Sequence, residues 1–168
     1  AGVALPVYNI EEPRLPLKLG EQRNLFKLFL SDVGLLASQY AANIAIEILT
    51  GDAKINYGAI YENFAAQELR AHGYNLYYFN NKKQGELDFV VENNDGILPI
   101  EIKSGKDYKR HNALSNVMLN DEYNISEAIV FSNGNIESEG KVLYMPIYML
   151  MYLQPEKIAD PIFKFKPI

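Results

Sequence analysis

The chain has 168 residues, nearly half of them apolar and fewer than a quarter charged, and a formal charge of −5. That balance fits one globular domain with a real core and excludes a disordered chain. The acidity argues against a protein that coats nucleic acid by bulk charge, and the lack of cysteine excludes disulfides and thiolate metal sites. No apolar run approaches the roughly 18–20 residues that cross a bilayer, and no basic-then-apolar leader opens the chain. A cytoplasmic protein with no membrane partner is expected.

Val3 to Ile10 is apolar and β-prone, and Leu25 to Leu30 is a second strand candidate. Between them Pro13, Pro16 and Gly20 break regular structure. Ser31 or Asp32 is placed to cap a short helix through Leu35 and Leu36. Asn43 to Leu49 reads as a helix ending near Gly51. Residues 55–72 make the clearest helix. Ile55, Ala59, Ala66 and Leu69 recur at helical spacing, Glu62 falls on the same stripe, and Gly73 stands where a glycine ends a helix. Three strands follow: Asn75 to Phe79, Glu86 to Val91 and Ile97 to Ile102. The last two are joined by the turn sequence Asn93-Asn94-Asp95-Gly96. A helix is expected over Asn112 to Leu119, a short buried strand over Ala128 to Phe131 and a polar loop from Ser132 to Gly140. Val142 to Met145 is a further strand, and Pro146 starts a helix from Ile147 to Leu153. The tail carries Pro155, Pro161 and Pro167 and is expected to be extended. This order predicts an α/β fold, a mixed sheet with helices on its faces. Twelve tyrosines with no tryptophan read as core-edge residues with packed rings and wet hydroxyls; stacking on bases is their other use.

Alternate residues of a strand share a face. Leu87, Phe89 and Val91 are therefore expected to point one way, and Glu86, Asp88 and Val90 the other. On the next strand Ile100 and Ile102 turn to a core, and Glu101 and Lys103 turn away. The hairpin sets Asp88 and Glu101 on neighbouring strands facing one side, with Lys103 roughly 7 Å beyond Glu101. Two carboxylates and a lysine suit metal-assisted hydrolysis of a phosphodiester. Hard oxygen ligands hold Mg²⁺ or Mn²⁺, the metal makes a bound water acidic, and the lysine meets developing negative charge. Glu62 is placed to supply one more oxygen. A plainer reading stands beside this one: alternating charged and apolar residues mark any half-exposed sheet, with Glu101 and Lys103 a structural ion pair. Lys82, Lys83, Lys106, Lys109 and Arg110 suit contacts to phosphates, or are solvated loop charges. His72 and His111 lack ligand spacing and read as surface or capping residues. No G-x-x-x-x-G-K-[ST] loop occurs, so no ATP site is expected in this chain.

Gly58-Ala59-Ile60-Tyr61-Glu62-Asn63-Phe64-Ala65-Ala66-Gln67-Glu68-Leu69, Gly85-Glu86-Leu87-Asp88-Phe89 and Pro99-Ile100-Glu101-Ile102-Lys103-Ser104-Gly105 form a series, preceded by Leu28-Phe29-Leu30-Ser31-Asp32-Val33-Gly34-Leu35-Leu36. In order and spacing the series resembles the uncharacterised C-terminal domain of a large group of prokaryotic AAA-type P-loop ATPases, over most of the chain. The resemblance implies the restriction-endonuclease-like, PD-(D/E)xK fold. Asp88 then matches the motif aspartate, Glu101 and Lys103 the (D/E)xK pair, and Glu62 the helix glutamate of resolvase-like members. Leu87 stands where the motif's name puts proline. The resemblance also implies an organisation: residues 1–31 as a β-hairpin left from a winged helix, 32–54 as a helical linker and 55–168 as the nuclease-like domain. It implies DNA as substrate, Mg²⁺ or Mn²⁺ as cofactor and an ATPase domain of the same chain as partner, with a homo-oligomer left open. Ala1-Gly2-Val3, without an initiating methionine, reads as the start of a piece of a longer protein. Two further functions compete: an inactive module of the same fold that binds nucleic acid or regulates the ATPase, and a protein-docking module using Met145 to Tyr152.

Overall fold

The described residues form eight strands and four α-helices. They are β1 (Ala4–Ile10), β2 (Glu21–Leu30), α1 (Val33–Ala37), α2 (Ala42–Thr50), α3 (Gly58–Ala71), β3 (Tyr77–Asn81), β4 (Gly85–Asn93), β5 (Gly96–Ile102), α4 (Asn112–Met118), β6 (Ala128–Ser132), β7 (Glu137–Glu139) and β8 (Val142–Pro146). The structure is a computed structural model that describes residues 2–51, 55–94 and 96–155. Asp95 of the turn and the expected extended tail around Pro161 and Pro167 lie outside the described residues.

All eight strands join one mixed sheet in the order β2-β1-β3-β4-β5-β6-β8-β7, so the fold is α/β as the sequence predicts. The opening hairpin does not stand apart. β1 runs parallel to β3 over Tyr8 to Ile10 and Tyr77 to Phe79, which makes the segment expected as a winged-helix remnant the first two strands of the same sheet.

The sheet separates two cores. On one face Ala65, Ala66 and Leu69 of α3 pack against Phe29, Phe89, Val91, Ile100 and Ile102. On the other, Leu114 and Val117 of α4 cover Phe79, Leu87, Val90 and Val130. Each large apolar side chain buried this way contributes roughly 1.5–3 kcal/mol. α3 ends as expected. His72 takes the cap position and Gly73 follows at φ +98°, a conformation that costs glycine little.

Several expectations are corrected. α3 buries Asn63, Ala65, Ala66 and Leu69 while Ala59 is exposed, so the stripe runs from Glu62 onward rather than from Ile55. Asn63 is buried because its amide replaces a strand neighbour: Leu30 N–H donates to Asn63 Oδ1 at 2.8 Å, and Asn63 Nδ2 donates to Leu30 O at 3.0 Å. Leu87 does not share a face with Phe89 and Val91; it lies in the α4-side core and they lie in the α3-side core. The cause is a bulge. Tyr77 pairs with Val90 but Phe79 with Leu87, so β4 carries one extra residue there and the alternation breaks at Asp88. The expected polar loop from Ser132 to Gly140 contains β7, paired antiparallel with β8. The segment behind Pro146 is a 3-10 helix, Ile147–Tyr152, rather than an α-helix.

Candidate functional site

The extra residue of β4 and the end of β5 put the acidic residues together. β4 and β5 pair as Phe89 with Ile100 and Val90 with Pro99, and the same register carried one step on sets Asp88 opposite Glu101. The Ile102 N–H donates to Asp88 Oδ2 at 2.8 Å, tying the bulge to the neighbouring strand. The Lys103 N–H donates to Phe131 O at 2.8 Å, extending the β5–β6 ladder one residue past the strand and fixing where the Lys103 side chain departs. A second latch holds α3 against this end of the sheet: Tyr61 OH donates to Asn133 Oδ1 at 2.9 Å, and Asn133 Nδ2 donates to Ser104 O at 3.3 Å.

Glu101 is the most buried acid here, its side chain only 7% exposed. Its Oε1 accepts from Lys103 Nζ at 2.7 Å. Its Oε2 is buried and has no hydrogen-bond partner. Burial first, and the charge of Asp88 second, push the Glu101 carboxyl up to about 7 against the pull of Lys103 and of the Asp88 N–H. Burial also raises Asp88, opposed by the Ile102 N–H and by Lys27 and Lys103. Glu62, half-buried on α3, is raised by burial and then by Asp88, with Lys27 and Lys103 pulling the other way. For Lys103, burial is outweighed by the hydrogen bond and charge of Glu101, and its pKa rises above the ordinary 10.5. Glu62, Asp88, Glu101 and Lys103, the four residues singled out in the sequence, thus share one electrostatic environment.

Two further charges belong to it. Lys27 of β2 places its ammonium 2.5 Å from Glu86 Oε1 and 3.9 Å from Glu62 Oε2, with the Tyr78 ring centroid 5.2 Å away. Burial disfavours this ammonium, but the hydrogen bond to Glu86 and the charges of Asp88, Glu86 and Glu62 win, and its pKa is raised. In the sequence Lys27 is only one member of the apolar strand Leu25 to Leu30. The signal that marks it is its spacing from Phe29: two residues apart, the two share the inward face.

The expected basic residues are dispersed. Lys82 and Lys83 sit exposed in the turn before β4, and Lys106 and Arg110 are exposed between β5 and α4. Lys109 is paired with Glu137 at 2.5 Å and leans over the Tyr144 ring. His72 contacts Leu153 O through Nδ1 at 2.7 Å and His111 contacts Tyr144 OH through Nε2 at 2.7 Å. Both stand at helix caps, and His72 Nε2 also lies 4.0 Å from Glu68 Oε2.

As a metal centre the cluster is sparse. Among the described residues no three His, Cys, Asp or Glu side chains form a group that could hold an ion; Glu62 leans toward Lys27 instead. Two carboxylates do converge, and one of them keeps an unpartnered oxygen. Mg²⁺ commonly takes one or two carboxylates and retains several waters, so Asp88 and Glu101 fit such an ion.

The family described as Domain of unknown function (DUF4143) matches residues 57–150. The chain belongs to this family. The match spans Glu62, Asp88, Glu101 and Lys103 and begins after the β1–β2 hairpin that carries Lys27. No curated protein and no solved structure matches the chain. Among the described residues no helix is long and apolar enough to cross a membrane.

Proposed function

We propose that this DUF4143 chain is the restriction-endonuclease-like domain of an AAA-type ATPase and hydrolyses DNA phosphodiesters with a divalent metal ion. One observation carries the reading: Glu101 Oε2 is buried without a partner beside Asp88, while Lys103 holds the other oxygen. A buried carboxylate oxygen left unpaired costs free energy, and a cation bound there removes that cost. Asp88 and Glu101 are the residues that would hold Mg²⁺ or Mn²⁺, which supplies an acidified water and charge neutralisation at the phosphate. Lys103, still 28% exposed, is free to exchange Glu101 Oε1 for a phosphate oxygen and to meet charge developing there. Glu62 takes an outer place, where it holds Lys27 and adds to the negative field.

In this reading Lys82, Lys83, Lys106 and Arg110 contact DNA phosphates, with Lys109 contributing less because Glu137 already engages it. The domain works in the cytoplasm, in cis with the ATPase of a longer chain. Calorimetric titration with Mn²⁺ tests it. The parent is expected to bind, Asp88→Ala is expected to lose binding, and binding that survives in Asp88→Ala sinks the assignment of the ligands.

The ion pair between Lys103 and Glu101 favours a second reading. If that pair is permanent, the chain is a catalytically inactive module of the same fold that binds nucleic acid or protein and regulates the ATPase. Absence of Mn²⁺ uptake by the parent, alone and with DNA present, selects it.

A further inference from the structure

Strand β2 turns Phe26 and Leu28 outward, 55% and 61% exposed, and turns Lys27 inward, its side chain 23% exposed. Placing an ammonium on the inner side and two large apolar side chains in water gives up hydrophobic burial, so something on the inner side holds the charge. Lys27 Nζ stands between Glu86 Oε1 at 2.5 Å and Glu62 Oε2 at 3.9 Å. On β5, whose register carried one step on sets Glu101 opposite Asp88, Lys103 Nζ holds Glu101 Oε1 at 2.7 Å and leaves Glu101 Oε2 open. The charges of both lysines act on Asp88. Four carboxylates (Glu62, Glu86, Asp88 and Glu101) face two ammonium groups, so with all four ionised the excess is two negative charges, which one divalent ion balances.

Phosphoryl-transfer centres that use two metal ions set them roughly 3.5–4 Å apart around shared carboxylates. Here the position on the Glu101 side has an unpartnered oxygen to offer, and the position on the Glu62–Glu86 side is filled by a lysine. We propose that Lys27 is a built-in second cation: it occupies the place between Glu62 and Glu86 that a second metal would need, so the centre takes a single divalent ion at Asp88 and Glu101. This rests on the metal-binding reading given above. It also makes the β1–β2 hairpin part of the centre, although the hairpin lies outside the segment that matches the family.

The test is the number of Mn²⁺ ions bound by the whole chain, counted by calorimetry and by the electron paramagnetic resonance of bound Mn²⁺, whose signal is altered when two ions lie side by side. The parent and Lys27→Arg, which keeps the charge, are expected to take up one ion. Lys27→Met and Lys27→Gln are expected to take up a second, adjacent ion, lost again when Glu62→Gln is added. Two ions in the parent, or a single ion in both neutral variants, overturn the proposal. Loss of the first ion in both neutral variants, with folding intact by circular dichroism, also overturns it, because Lys27 would then be building the first position. No uptake by the parent is a different failure and removes the metal reading itself.

Discussion

Two lysine–carboxylate pairs in this molecule have the same length and opposite character. Lys27 meets Glu86 at 2.5 Å beside α3, and Lys109 meets Glu137 at 2.5 Å on the rim of β7. Around Glu137 nothing competes: Lys109 and Tyr108 hydrogen-bond to it, and its carboxyl is pulled below the ordinary range. Around Lys27 stand Glu62, Glu86 and Asp88, and burial pushes Glu62, Asp88 and Glu101 upward, helped by the charge of Asp88 on Glu62 and Glu101 and by that of Glu86 on Glu62 and Asp88. The contact distance of an ion pair therefore says little about what it does. The rim pair is satisfied by its own members and Tyr108, whereas the inner group holds more carboxylates than lysines, and on the proposed reading that imbalance draws a divalent ion.

Asp88→Asn and Lys103→Ala are expected to reduce Mn²⁺-dependent cleavage of DNA by about 10²–10⁴-fold, while Lys109→Met lowers it far less. Cleavage by Lys103→Ala at the parent rate would remove Lys103 from the mechanism. Next in size is a stability effect. Glu101 holds its proton up to about pH 7 when folded and, from an ordinary value of 4.5, releases it earlier when unfolded. The folded state thus binds more protons between those values, and stability falls as pH rises through that window. The fall is on the order of 2 kcal/mol for this one group. Urea unfolding at about pH 5 and about pH 8 is expected to show it in the parent and a flatter profile in Glu101→Gln. The smallest effect belongs to the rim: Glu137→Gln is expected to leave the urea midpoint unchanged within error, as exposed pairs generally do.

Much of the architecture was legible because its signals are local. Asn93, Asn94 and Gly96 mark the β4–β5 turn, Gly73 marks the end of α3, and the apolar run at Ala128 marks a buried strand; each works through its own backbone preference. The pairing of Glu101 with Lys103 was legible too, since two residues apart on one strand share a face. Three things were not. The bulge at Asp88 depends on how β3 pairs with β4, and no residue type at 87–90 announces it. β7 is Glu-Ser-Glu, with little strand propensity of its own, and forms because β8 supplies an edge and Tyr108 and Lys109 grip Glu137. Lys27 joins the centre only through packing of the β1–β2 hairpin onto β3, a contact between segments about seventy residues apart that periodicity does not encode.

The amide of Asn63 has a further consequence. β2 is the outermost strand of the sheet, and an open strand border carrying Phe26 and Leu28 is a template on which other chains can polymerise. At Leu30 that template is closed, because a side-chain amide imitates the next peptide unit and takes both the N–H and the C=O. The closure comes from the same helix that carries Glu62, one residue earlier. Damage to that helix would therefore reach beyond the acidic centre to colloidal behaviour: a preparation that has lost the Asn63 clasp is expected to cloud on concentration before it unfolds.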